Sequence, residues 1–95
     1  MEDFNKIQEG LNFPFVKVER GCLGGEEIFV LVSLEDRSNW FNGYVENSPY
    51  ARFCLVGGKI EQFSGCGIKK NFRKCNYKDI DEAIKKLNKF YEDVC

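Results

Sequence analysis

Tyr50-Ala51-Arg52-Phe53-Cys54-Leu55-Val56-Gly57-Gly58-Lys59-Ile60-Glu61-Gln62-Phe63 is the stretch that decides the fold. Two runs of apolar and aromatic character flank a Gly-Gly pair. Glycine enters positive-φ turns without steric cost, and two-residue hairpins need such turns. The stretch therefore predicts antiparallel strands over 50–56 and 59–63. Toward the N-terminus, Phe15–Arg20 alternates, with Val16 and Val18 on one face and Lys17 and Glu19 on the other. Ile28–Leu34 is almost continuously apolar, which predicts an interior strand covered on both faces. Gly21 to Gly25 turns the chain between these two. Toward the C-terminus, Ser64-Gly65-Cys66-Gly67 reads as a loop, and a further strand is expected over about Ile68–Cys75.

A sheet with an apolar face needs a cover, and the C-terminus supplies one. Ile80, Ala83, Ile84, Leu87, Tyr91 and Val94 recur at helical spacing, with Phe90 beside them and charged residues opposite. Asp79 followed by Glu82 is an Asp form of the capping box, so the helix should start there. Phe4, Ile7 and Leu11 predict a short N-terminal helix ending around Gly10. Residues 36–49 read as loop, because Asn42-Gly43 and Asn47-Ser48-Pro49 break regular structure. Trp40 and Phe41 lie within it, either as a plug on the core edge or as a contact. The expected architecture is a single α+β domain spanning 1–95. It has a mostly antiparallel sheet of about five strands, a C-terminal amphipathic helix on one face and a short N-terminal helix.

Composition narrows the function classes. The chain has 95 residues, 43% of them apolar and 31% charged, which is the balance of a globular chain. Its longest apolar run, Ile28–Val32, is far short of the roughly 20 residues of a membrane span. The acidic start Met-Glu-Asp-Phe-Asn lacks the features of a secretion signal, so a cytoplasmic location is expected. Five cysteines (Cys22, Cys54, Cys66, Cys75 and Cys95) form no Cys-x-x-Cys pair, and there is no histidine. No disulfide framework, metal site or cofactor is expected from them. Cys54 reads as a small core hydrophobe.

The missing histidine also removes the commonest general base and the partner of most Ser and Cys nucleophiles. Glu26-Glu27 and Glu35-Asp36 flank a strand at its ends, where solvated termini explain them better than acid–base chemistry. The loop Ser64-Gly65-Cys66-Gly67, followed by Lys69 and Lys70, matches neither phosphate-loop nor dinucleotide fingerprints. Cys66, between two glycines and near those lysines, is the candidate for a reactive thiol. It carries the distant reading of a thiol-dependent enzyme or redox sensor. The chain reads as a non-enzyme.

Charge distribution points to binding instead. Residues 1–36 carry three basic and eight acidic side chains, whereas residues 37–75 carry seven basic and two acidic ones. The basic middle holds Trp40, Tyr50, Arg52, Lys69, Lys70, Phe72, Arg73 and Lys74, which together form the expected partner-binding set. Lysines on an edge strand also discourage sheet-to-sheet aggregation, which is the bland reading of Lys69–Lys74. As a functional surface, the set could stack bases and meet phosphates, making a single-stranded nucleic-acid binder. It could equally grip a protein surface through arginine and aromatic anchors. With a net charge of −1 and a pI near 5.5, the chain lacks the overall basicity of most autonomous nucleic-acid binders. A protein or nucleoprotein partner is therefore expected first, and nucleic acid second.

In size and composition the chain resembles the compact proteins that phages and mobile elements encode to block host machinery, anti-CRISPR proteins among them. The resemblance rests on no specific motif. It implies an inhibitory or modulatory binder and carries no site residue over.

Overall fold

The structure, a computed structural model, describes residues 2–21, 27–34, 50–68 and 71–94. Within them the chain runs α1 (Glu2–Gly10), β1 (Phe15–Arg20), β2 (Ile28–Ser33), β3 (Tyr50–Val56), β4 (Lys59–Cys66), β5 (Cys75–Asn76) and α2 (Ile80–Val94). The five strands form one antiparallel sheet in sequence order, β1-β2-β3-β4-β5. This is the α+β arrangement the sequence predicts.

The hairpin at the centre of the sequence closes as expected. Gly57 and Gly58 have φ of 56° and 78°, the pair of positive values that a type I′ turn requires. Tyr77 N–H donates to the Gly58 carbonyl at 2.7 Å, tying the turn to the segment that leads into α2. A Cβ on Gly58 would meet the Tyr77 carbonyl oxygen at 3.1 Å.

Strand register sorts the side chains into two sets. One set faces the helices, in the cross-strand rows Val16–Val32–Ala51, Val18–Val30–Phe53–Gln62 and Ile28–Leu55–Ile60–Cys75. Val30, Val32, Ala51, Phe53, Leu55 and Ile60 in these rows are fully buried. They pack with Ile7 and Leu11 from the α1 region and with Ala83, Leu87 and Phe90 of α2. Burying a large apolar side chain this completely contributes about 1.5–3 kcal/mol. Phe53 and Phe90 meet edge to face at 5.4 Å between ring centres, and Phe13 stacks against Tyr91 at 4.6 Å.

The helix ends are satisfied locally. Glu82 N–H donates to the Asp79 carboxylate at 2.9 Å, and Lys78 N–H donates to the Glu82 carboxylate at 3.0 Å. That is the reciprocal cap the sequence announces, reaching back one residue further than the usual form. Gly10 ends α1, as expected. A Cβ there would press on Ile84 at 3.1 Å, so its smallness lets α1 approach α2. Asn88 then clamps the junction, donating to the Gly10 carbonyl at 2.9 Å and accepting from Asn12 N–H at 2.7 Å. One orphan carbonyl at the helix end is thereby paired.

Four expectations change. The fifth strand is Cys75–Asn76, and Ile68 and residues 71–74, where the sequence predicts a longer strand, have no regular structure. With charges on both alternating faces, this segment offers one aromatic ring for burial. Phe72 turns that ring into the core, meeting Phe53 at 5.1 Å and Phe90 at 5.4 Å, both edge to face. Its N–H donates to the Gln62 side chain instead of a strand backbone. Ser64 to Cys66 belong to β4 and not to a loop, and the turn falls at Gly67, with φ of 75°. Cys54 is half-buried on the sheet face away from the helices, so it is not a core residue. The expected cover on both faces of β2 holds for Val30 to Ser33, whereas Ile28 and Phe29 are half-buried. Trp40, Phe41 and the rest of 35–49 lie outside the described residues.

Candidate functional site

The second set of side chains faces away from the helices. Its rows are Phe15–Ser33–Tyr50, Lys17–Leu31–Arg52 and Glu19–Phe29–Cys54–Glu61. Leu31 and Ser33 on this face are buried. Toward β4 the face opens. Phe63 is 63% exposed and Val56, on this face by alternation, is 40% exposed. These are the exposed large apolar side chains among the described residues.

Arg52 organises the open part. Its guanidinium carbon lies 4.9 Å from the Phe63 ring centre and 5.3 Å from that of Phe29. The two rings are 6.5 Å apart and tilted by 60°. A cation over an aromatic ring gains roughly 0.5–1 kcal/mol at such partly exposed sites. The arrangement depends on an irregularity. Register shifts between Arg52 and Phe53, so that Arg52 pairs with Ser64 and Phe53 with Gln62, leaving Phe63 as the extra residue of a bulge. Bulges re-aim side chains, and this one brings Phe63 against Arg52. Among the described residues no carboxylate lies within ion-pair distance of Arg52, and a guanidinium presents a planar fork of N–H donors.

Cys54, next to Phe29 and Glu61 in the same face, has its thiol pushed up in pKa. Burial is the main cause, and the Glu27 and Glu61 charges add to it against the opposing pull of Arg52. A thiol raised in this way is protonated at neutral pH and is a poor nucleophile.

A groove of about 290 Å³ lies on the opposite side of the sheet, between residues 71–75 and α2. Phe72 and Phe90 form its apolar part, and Arg73, Lys86 and Lys89 bring three cations to it with Asp93 as the single acid. Cys75 lines the groove too. Burial raises its thiol pKa, and the nearby Lys86 ammonium opposes the rise.

The structure thus divides the residues that the sequence placed in one patch. Tyr50 and Arg52 share the open face. Phe72 is on the helix side with its ring in the core, and Arg73 and Lys74 are exposed beside it. Lys74 approaches Glu61 at 3.9 Å, with both side chains largely exposed. Cys66 ends β4 opposite Tyr50. Trp40, Lys69 and Lys70 lie outside the described residues. Sequence reasoning missed Phe29 and Phe63 as partners of Arg52, and Lys86 and Lys89 as partners of Arg73. Counting back from Gly57-Gly58 would have set Phe63 within one residue of Arg52. Nothing short of the packing of α2 would have brought its lysines to Arg73.

Among the described residues no group of three or more Cys, Asp or Glu side chains is placed to hold a metal ion. No helix among them is long and apolar enough to cross a membrane. No protein family, curated protein or solved structure matches the chain.

Proposed function

We propose that this is a non-catalytic interaction protein that binds, and thereby modulates or inhibits, a protein or nucleoprotein partner through the open face of its sheet. The observation that carries the reading is Arg52 held between Phe29 and Phe63. Arginine and aromatic side chains supply most binding hot spots, because they bury large area and pair with carboxylates in fixed geometry. Here the guanidinium is pre-positioned by two rings, so less conformational freedom is lost when a partner carboxylate docks. The exposed faces of Phe63 and Val56 add apolar area around it.

The second partner class, single-stranded nucleic acid, has less support. Stacking needs an accessible aromatic face, and Phe72, the ring nearest the basic segment, is packed between Phe53 and Phe90. The two faces separate the readings experimentally. Arg52→Glu should abolish capture of the partner while thermal stability is kept, and Arg73→Glu, on the other side of the sheet, should leave capture intact. Undiminished capture by Arg52→Glu would sink the reading. A salt-sensitive oligonucleotide affinity lost in Arg73→Glu would favour the nucleic-acid alternative.

A further inference from the structure

The groove between residues 71–75 and α2 is used neither by the fold nor by the docking face, and its chemistry is specific. Lys86 and Lys89 are three residues apart on α2, which places them side by side on one helix face. Arg73 reaches the same cavity from a segment on the opposite wall. Arg73 and Lys89 belong to no ion pair among the described residues, and Lys86 reaches Glu82 only at 3.9 Å. The side chains that line the cavity, three cations and Asp93, carry a net charge of +2, with Glu82 outside the lining at 3.9 Å from Lys86. The wall beneath is aromatic, made by Phe72 and Phe90, and both rings are held in place by edge-to-face packing with Phe53.

We propose that this groove is a binding site for a phosphate monoester carried on a small apolar or aromatic body. A monoester bears a charge of about −1.5 to −2 at neutral pH and three strong acceptor oxygens. That charge answers the net positive lining more fully than the single charge of a carboxylate, and its third oxygen gives each of the three cations an acceptor. Arg73 would supply a bidentate fork, and the two ammonium groups would meet the remaining oxygens. The volume of about 290 Å³ suits one such group with its apolar attachment. The site is independent of the docking face, since Arg52 lies on the other side of the sheet.

The test is an amide-shift titration of the intact chain with phenyl phosphate, with benzoate in parallel. Saturable shifts are expected at residues 71–75 and 86–93, with benzoate binding about tenfold more weakly or worse. Arg73→Gln and Lys86→Gln should each weaken phenyl phosphate about tenfold, and Arg52→Glu should bind it as the parent does. Affinity should fall below about pH 6 as the monoester dianion takes up a proton and becomes a monoanion. The chain has no histidine, so that profile belongs to the ligand. A nucleoside 5′-monophosphate and a phosphoserine peptide represent the two sources of the group, and tighter binding of either supports the site and identifies the source. Equal shifts with benzoate, shifts scattered over all lysines, or unchanged binding by Arg73→Gln would each overturn the proposal. So would oligonucleotide binding that is indifferent to a terminal phosphate and stronger than that of phenyl phosphate.

Discussion

Strand β3 carries two molecules' worth of instruction in alternate residues. Ala51, Phe53 and Leu55 point toward the helices and are fully buried, whereas Arg52 and Cys54 point the other way and are half-buried, with Val56 exposed. The first face is closed by α1 and α2 and is apolar apart from Gln62 and Cys75 toward its β4–β5 edge. The second mixes a stacked guanidinium, two phenylalanines, a thiol and carboxylates. If the open face is the docking face proposed above, a single strand separates stability from recognition by parity alone, because neighbouring side chains leave opposite sides of the sheet. Changes on one face should be read mainly in unfolding, and changes on the other mainly in binding.

The largest effect that would break this contrast is at Phe53. Phe53→Ala removes a fully buried ring that touches both Phe72 and Phe90, and should cost about 3–5 kcal/mol in denaturant unfolding. Arg52→Glu, one residue away, should change stability by no more than about 1 kcal/mol. Comparable losses at the two positions would mean that the open face is structural. A smaller effect is expected at the junction of the helices. Asn88→Ala leaves the Gly10 carbonyl and the Asn12 N–H without their side-chain partner and should cost about 1–3 kcal/mol, again in denaturant unfolding.

The smallest effects concern the thiols, one on each side of the sheet. Cys54 and Cys75 both have pKa values raised mainly by burial. Both should therefore react with iodoacetamide more slowly than a model thiol at neutral pH. The linkage has a definite sign. Folding holds these thiols protonated, so their contribution to stability is complete below the ordinary thiol pKa. It is lost as pH rises through the higher folded value. Alkylation as fast as that of a free peptide thiol would show that the two positions open readily.

Much of the covered face was legible in the sequence, and less of the open one. The Gly57-Gly58 turn, the helical spacing from Ile80 to Val94 and the Asp79 cap are local signals, and the structure realises each of them. The segment from Ile68 to Cys75 misled because alternation along a charged run resembles an edge strand, while the burial of the single Phe72 ring decides the outcome. The open face depends on register across β2, β3 and β4 together with a bulge at Phe63, which no window of sequence contains. The groove depends on α2 folding back beside residues 71–75, which the periodicity of neither segment encodes.

The most direct measurement of the central claim is site-specific photo-crosslinking in the cells that make the protein. A photoreactive phenylalanine analogue is placed either at Phe63 on the open face or at Lys85, an exposed position on α2. A discrete partner adduct from position 63, absent from position 85 and lost when Arg52→Glu is combined with it, is the predicted result. An adduct from position 85 with none from position 63 would contradict the account.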